Sequence, residues 1–120
     1  MILPLWIAGL GAVGVLARWG MGWAAQGLSV SARPWATVAV NLLGALLAGW
    51  VAGKPSLSPE VRTACLTGFL GGFTTFSAYC WDTSQLLDDG KPALAWLTFV
   101  GTPIVGLLLF RFSQTWARGL

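Results

Sequence analysis

Four long apolar stretches, separated by short polar connections, dominate the chain. They are residues 4–25, 35–52, 62–87 and 93–112. Each is close to the roughly 20 apolar residues that a helix needs to cross the hydrocarbon core of a bilayer. Regular alternation of apolar and polar residues, which would indicate a membrane β-barrel, is absent. The pattern predicts one all-α transmembrane domain over residues 1–120 with four spanning helices.

Helix-start and turn signals divide these stretches. Ser58-Pro59-Glu60 has the sequence of a helix cap and first turn before the third stretch. The run from Asp88 to Pro92 is a polar turn between the third and fourth. The connections are too short to hold a soluble domain.

Composition also favours a membrane protein. Apolar residues make up 56% of the chain and charged residues only 9%, whereas soluble domains carry about a quarter charged residues. The eight Trp suit the two membrane–water interfaces. The chain has no His, and Cys65 and Cys80 lie singly in apolar sequence. We therefore predict buried free thiols, with no zinc site and no disulfide framework.

Most of the basic residues lie where the predicted spans end, so the net charge of +3 is better explained by charges that flank the membrane than by nucleic-acid binding. One side of the membrane would carry Lys54, Arg62, Arg111 and Arg118, and the other Arg18, Arg33 and Lys91. Four against three barely specifies an orientation. We expect a chain that inserts both ways, whose copies pair antiparallel; the alternative is a weak bias that still sets one orientation.

Small and polar residues mark the first two spans. Gly9, Gly11 and Gly14 fit a dinucleotide-binding pattern, but no strand precedes them and no acid follows at the required spacing. They are expected to permit close helix approach. Asn41, in the middle of the second span, would either hydrogen-bond a neighbouring helix or present its amide N–H to an anion.

The third span contains the least helical sequence. Gly71-Gly72 followed by Thr74-Thr75 is poor material for an uninterrupted helix. We expect the glycine pair to unwind within the membrane, and such a break exposes carbonyl oxygens that can ligate a cation and N–H groups that can hold an anion. The alternative is a glycine-rich helix packed tightly on a neighbour.

Several further side chains suit an ion route but have ordinary explanations. Phe76 and Tyr79 share a helical face, and their electropositive ring edges would suit a small anion, although such pairs usually serve packing. Asp82 continues that face at an uncertain depth. Thr98 and Thr102, one turn apart, would line a polar track or bond their own backbone.

The string from Gly68 to Ser77, GFLGGFTTFS, closely resembles the signature of the Fluc (CrcB) fluoride channel family. Gly11, Gly14 and Arg18 resemble its first-span pattern. The second-span pattern is matched by Thr37, Val40, Asn41 and Gly44. The resemblance covers nearly the whole chain.

This resemblance implies a third helix broken mid-membrane and an antiparallel, dual-topology homodimer with two pores. It also implies a structural sodium ion, not transported, held by backbone carbonyls of Gly71 and Thr74. Asn41 and Phe76 match pore residues, and Arg18 matches a basic residue near the aqueous vestibule. Tyr79, Asp82 and Thr98 depart from the usual Phe, Glu and Tyr. Some members work as paired, non-identical subunits, so the partner would be a second copy or a homologous subunit.

The expected function is passive export of fluoride through a channel in the cell inner membrane, giving fluoride resistance. Fluoride is strongly hydrated, so the path must replace its water with donors. The candidate residues along it are Asn41, Thr75, Phe76, Ser77, Tyr79, Thr98 and Thr102, with Arg18 at the vestibule. No constellation for enzymatic chemistry is found. The alternatives are a small multidrug-type exporter, which should have an acid in its first span, and a non-transporting membrane subunit.

Overall fold

The computed structural model describes residues 2–29 and 32–120. Its α-helices are α1 (Leu3–Ala24), α2 (Arg33–Gly53), α3 (Pro59–Thr63), α4 (Gly71–Phe73), α5 (Phe76–Asp88) and α6 (Pro92–Arg118). A 3₁₀ turn, Ala25–Gly27, follows α1, and a π-helical segment, Ala64–Leu70, joins α3 to α4. The described part of the chain contains no strand, which confirms the all-α prediction.

Within residues 2–29 and 32–120, three helical stretches are long and apolar enough to cross a membrane: Leu3–Gly27, Arg33–Gly53 and Pro92–Arg118. The third predicted stretch, 62–87, is instead divided among α3, the π-helical segment, α4 and α5. The molecule is 48 Å long, against about 40–45 Å for a bilayer with its headgroups. In α1 only Gly14 is buried, so most of that helix faces outward with apolar side chains.

Local sequence explains where the helices begin and end. Proline occupies the first turn of α1, α2, α3 and α6, where its missing N–H leaves no broken bond. Ser58 caps α3 by accepting a 3.3 Å hydrogen bond from the Val61 N–H.

The predicted turn after the third stretch is confirmed. Gly90 has a φ of 71°, and this left-handed conformation favours glycine. The Gly90 N–H donates to Leu87 O and the Lys91 N–H to Leu86 O, which is the Schellman arrangement at the end of α5.

Helices that are not neighbours in sequence form the two main packing pairs. α1 packs along the π-helical segment and α4, and α2 packs along α6. Residues later in one member of a pair contact residues later in the other. In the first pair, Ile7 contacts Gly68 and Gly14 contacts Phe73. The two helices of a pair therefore run in the same direction.

Glycines allow backbones to touch in both pairs. A Cβ on Gly14 would overlap Phe69 O, and one on Gly72 would overlap Gly11 O. In the second pair, Gly49 faces the backbone of Phe110 in the same way. Small residues serve this purpose in membrane helices because apolar packing must come from close van der Waals contact. Close helix approach, predicted for the first-span glycines, is confirmed at Gly14 but not at Gly9, which has no atom near its Cβ position.

Both cysteines are free, as predicted, but their expected burial is wrong for Cys80. Cys65 is half-buried, whereas Cys80 lies exposed on α5. The apolar sequence around Cys80 faces outward here, because Tyr79 and Thr83 occupy the buried side of this helix.

We expect Gly14→Ala to destabilise the protein by about 1–3 kcal/mol, because the added methyl overpacks against the third-stretch backbone. Gly9→Ala is the matched control in the same helix, and it should be neutral or slightly stabilising. Thermal unfolding of the purified protein in detergent, followed by Trp fluorescence, measures both. Equal melting temperatures for the two variants would contradict the close contact.

Candidate functional site

The helix of the third stretch is interrupted at Thr74 and Thr75. α4 ends at Phe73, both threonines are extended, and α5 begins at Phe76. The sequence analysis expected Gly71 and Gly72 to unwind, and this is wrong because both are helical. Gly72 packs as part of a helix against the backbone of Gly11, so its small size serves packing. The extended residues come two positions later.

Asn41 holds the interruption from α2. Its Nδ2 donates to Thr75 O at 3.0 Å, and its Oδ1 accepts from the Thr75 N–H at 2.8 Å. The side-chain amide thus pairs with both backbone polar groups of Thr75, as a neighbouring strand would. An Asn amide has two N–H donors, and this pairing uses one. The second N–H has no partner among residues 2–29 and 32–120.

The two threonines stabilise the helix ends on either side. The Thr74 hydroxyl and N–H both donate to Leu70 O, at 2.9 and 3.0 Å. The Thr75 hydroxyl caps α5 by accepting from the Ala78 N–H at 3.2 Å. It also lies 3.3 Å from the Ser77 hydroxyl. The methyl of Thr74 fits against Gly44 of α2.

These hydrogen bonds release two backbone carbonyls. In a continuous α-helix the Thr75 N–H would bond Gly71 O and the Ala78 N–H would bond Thr74 O. Asn41 Oδ1 takes the first donor, and the Thr75 hydroxyl takes the second. The carbonyls of Gly71 and Thr74 therefore lose their regular helical partners.

A neighbouring carbonyl, that of Gly72, is occupied. It accepts a 3.1 Å hydrogen bond from Arg18 Nε of α1. The guanidinium thereby ties α1 to the residues just before the interruption.

An open groove of about 540 Å³ lies beside the interruption. It is lined by Asn41, Ala45, Thr74, Thr75, Phe76, Tyr79, Phe99, Thr102, Pro103 and Gly106. Five of the eight residues predicted along an ion route meet here: Asn41, Thr75, Phe76, Tyr79 and Thr102. No Lys or Arg lines this groove among the described residues.

The other three predicted residues lie elsewhere. Thr98 is buried, and its hydroxyl donates to Leu94 O and Ala95 O of its own helix at 2.9 and 3.0 Å. Ser77 is exposed next to Thr75. Arg18 lines a separate cavity of about 130 Å³. Thr75 lines both this cavity and the groove.

Thr102 differs from Thr98 although the two lie one turn apart. Its hydroxyl has no hydrogen-bond partner within the described ranges, and the residue lines the groove. The Thr102 hydroxyl is thus free to donate to a ligand.

Aromatic rings form one wall of the groove. Phe76 is 72% exposed, and its ring centroid lies 5.9 Å from that of the buried Tyr79. The Tyr79 ring stacks on Phe99 of α6 at 5.0 Å, and its hydroxyl donates to Phe99 O.

Thr37 is a polar contact that the sequence analysis did not assign to the site. Its hydroxyl donates to Asp82 Oδ2 at 2.5 Å, so Asp82 lies beside the first turns of α2. Thr37 also lines the cavity of Arg18. Its spacing of four residues from Asn41 places both on one face of α2, and this signal was available in the sequence.

The sequence analysis also missed three residues of the groove, because apolar residues in a span carry no chemical signal of their own. They are Phe99, Pro103 and Gly106. They line the groove opposite the interruption. Only the packing of α6 against α2 and α5 identifies them.

Comparison with known proteins identifies the family of the chain. The family described as "CrcB-like protein, Camphor Resistance (CrcB)" matches residues 5–113. The chain belongs to the CrcB family. This confirms the resemblance found in the sequence.

Three relatives illustrate the match, and each carries the name "Fluoride-specific ion channel FluC". The Variovorax paradoxus protein is 42% identical over 104 residues, which are 82% of this chain and 81% of the relative. The Geobacter sulfurreducens protein is 45% identical over 95 residues, which are 76% of this chain and 77% of the relative. The Thermus thermophilus protein is 41% identical over 102 residues, which are 82% of this chain and 80% of the relative. Together with the long apolar helices, CrcB membership makes this chain a multi-pass membrane protein.

We expect Thr75→Ala to lower the free energy of unfolding by about 1 kcal/mol, because α5 loses its capping hydroxyl. Thr75→Ser keeps that hydroxyl and should stay within a few tenths of a kcal/mol of the natural protein. Chemical denaturation in mixed micelles measures both. Equal losses in the two variants would mean that the hydroxyl does not cap α5.

Proposed function

We propose that this chain is a fluoride-specific ion channel that lets fluoride leave the cytoplasm passively, lowering cytoplasmic fluoride and giving resistance to it. The observation that carries the proposal is the groove beside Thr74 and Thr75. It combines uncommitted hydrogen-bond donors with ring edges, and none of the described residues that line it is basic. The name of the curated relatives supports the same function, which is that of a channel and not of an enzyme.

Fluoride would meet the free N–H of Asn41, the hydroxyl of Thr102 and the edges of Phe76 and Tyr79. These groups replace hydration with partial positive charges, so they make entry favourable. A Lys or Arg within the groove would hold the anion too strongly for it to leave. Arg18, in its separate cavity, would attract the anion towards Thr75. Ser77 extends the polar surface beside Thr75.

The third crossing of the membrane would be formed by α3, the π-helical segment, α4 and α5, with the interruption near mid-membrane. This gives the four spans that the sequence predicts. Backbone that leaves the helix at this depth is tolerated where it is buried in protein or lines a wet cavity. We place the protein in the cell inner membrane, where an inside-negative potential drives an anion outward by about 2.3 kcal/mol per 100 mV.

A second copy in the opposite orientation would close the groove. Three observations support an antiparallel, dual-topology dimer with two pores. The groove is open along one side, Phe76 projects from it with 72% of its surface exposed, and the flanking basic charges are nearly balanced. A homologous partner subunit of the same fold would meet the same surface, and sizing and mass measurements on co-purified chains separate these cases.

The carbonyls of Gly71 and Thr74 would hold a structural sodium ion. Both residues line an open groove that also includes Asn41 and Gly44. Hard cations prefer oxygen ligands, and these carbonyls lack their regular helical partners, so the residues fit the ion. When bound, sodium would supply positive potential beside the anion route. Asn41 and Thr75 keep the two carbonyls available by binding the N–H groups that would otherwise pair with them.

We expect Thr102→Val to slow fluoride efflux from proteoliposomes roughly tenfold, because a lost hydrogen bond to an anion is worth about 1.5–3 kcal/mol. Thr98→Val is the matched control, since that hydroxyl bonds its own helix outside the groove. Its efflux should stay near that of the natural protein. A fluoride electrode measures both rates per folded dimer.

The same assay tests the rival functions. Efflux of fluoride from the natural protein's liposomes, but not from empty ones, supports a channel. Proton-coupled movement of a cationic drug without fluoride efflux would favour the exporter, and neither activity would favour a non-transporting subunit.

Replacing sodium with choline at equal ionic strength during purification and reconstitution should abolish efflux, and sodium added back should restore it. The reason is that released carbonyls without a cation would present only negative charge near the route. Efflux that persists with no detectable sodium would contradict the cation site and leave the groove proposal intact.

A further inference from the structure

α6 contains a proline within its helical span. Pro103 lies eleven residues after the helix start at Pro92. Proline has no N–H, so the carbonyl four residues earlier, that of Phe99, receives no regular helical hydrogen bond. An unpaired carbonyl is unfavourable in a membrane, where little water is present to compensate for the lost hydrogen bond.

Tyr79 supplies a donor to this carbonyl from another helix. Its hydroxyl donates to Phe99 O, and its ring stacks on Phe99 at 5.0 Å. Tyr79, Phe99 and Pro103 all line the groove. The two hydroxyls of α6 nearby do not take this role, since Thr98 bonds Leu94 and Ala95 and Thr102 has no partner within the described ranges.

We propose that the Tyr79 hydroxyl replaces the missing N–H of Pro103, and that Tyr79 is thereby a positioning residue for the anion groove. The hydrogen bond satisfies Phe99 O and cancels part of its negative charge. Without it, a bare carbonyl oxygen would lie on the groove wall and repel an anion. Loss of the hydrogen bond would also let the Tyr79 ring leave its position, where it stacks on Phe99 and lies beside Phe76.

This assignment gives Tyr79 a use different from direct donation to fluoride. The hydroxyl proton is committed to Phe99 O, so the ring edge is what Tyr79 offers to the groove. The effect on transport rests on the proposed channel function, whereas the pairing of Tyr79 with Pro103 does not.

A double-mutant cycle tests the pairing. Its members are the natural protein, Tyr79→Phe, Pro103→Ala and the double variant. Tyr79→Phe keeps the ring and removes the donor, and it should lower the folded-to-unfolded ratio about threefold, as for typical hydrogen bonds between membrane helices. In the Pro103→Ala background the Ala N–H satisfies Phe99 O, so the same change should have almost no effect. Additive effects in the two backgrounds would overturn the proposal.

Fluoride efflux tests the positioning role. Tyr79→Phe should slow efflux per folded dimer by at least about threefold, and adding Pro103→Ala should restore most of the rate. Unchanged efflux in Tyr79→Phe would overturn the positioning role, because a purely structural tyrosine would affect only the amount of folded protein. If Tyr79→Phe fails to assemble, the double variant with Pro103→Ala should assemble again. That recovery would show the same coupling between positions 79 and 103.

The stability cycle also separates this inference from the channel proposal. If the natural protein moves no fluoride, the channel proposal fails, and coupling between positions 79 and 103 still supports the hydrogen-bond assignment. If it conducts and the two positions are additive, the channel stands and the assignment fails.

Discussion

The pairing of one side-chain amide with one peptide group organises this structure. Asn41 accepts from the Thr75 N–H and donates to Thr75 O, so the backbone leaves the helix with both of its polar groups satisfied. Without Asn41, a non-helical residue between packed helices would leave both groups unpaired, which is strongly unfavourable away from water. The glycine-lined contact with α1 and the cap of α5 place Thr75 where Asn41 can reach it.

The same arrangement separates hydrogen-bond acceptors from hydrogen-bond donors. Hydrogen-bond acceptors released from the helix, the carbonyls of Gly71 and Thr74, come from the main chain of the interruption. The groove contains donors from side chains, namely the second N–H of Asn41 and the hydroxyl of Thr102. A cation and an anion would thus each find suitable ligands within a few residues of each other, and no described residue that lines the groove has an ionised side chain. Partial charges suit transient binding because they attract an ion without trapping it.

Much of the architecture was predictable because it depends on local sequence. Long apolar runs, first-turn prolines and the turn at Gly90 define the helices, and the string around Gly71 identifies the CrcB family. The exact interruption was not predictable, because Gly72 stays helical through its contact with Gly11 of a distant helix. Likewise Thr98 and Thr102 look equivalent in sequence, and only packing directs one hydroxyl to its own backbone. Sodium, the dimer and the roles along the ion route stay predictions.

The packing of α1 has a consequence for how the chain is made. The surface that receives Gly14 consists of Phe69 and Phe73, which lie beyond α2 in the chain and are therefore synthesised after both α1 and α2. Likewise Gly49 of α2 packs on the backbone of Phe110, which lies in the last helix and is synthesised much later than α2. Each early span must therefore persist in lipid as an independent helix before its neighbour arrives, as a two-stage assembly requires. Truncated nascent chains of this protein would be inserted but not yet packed.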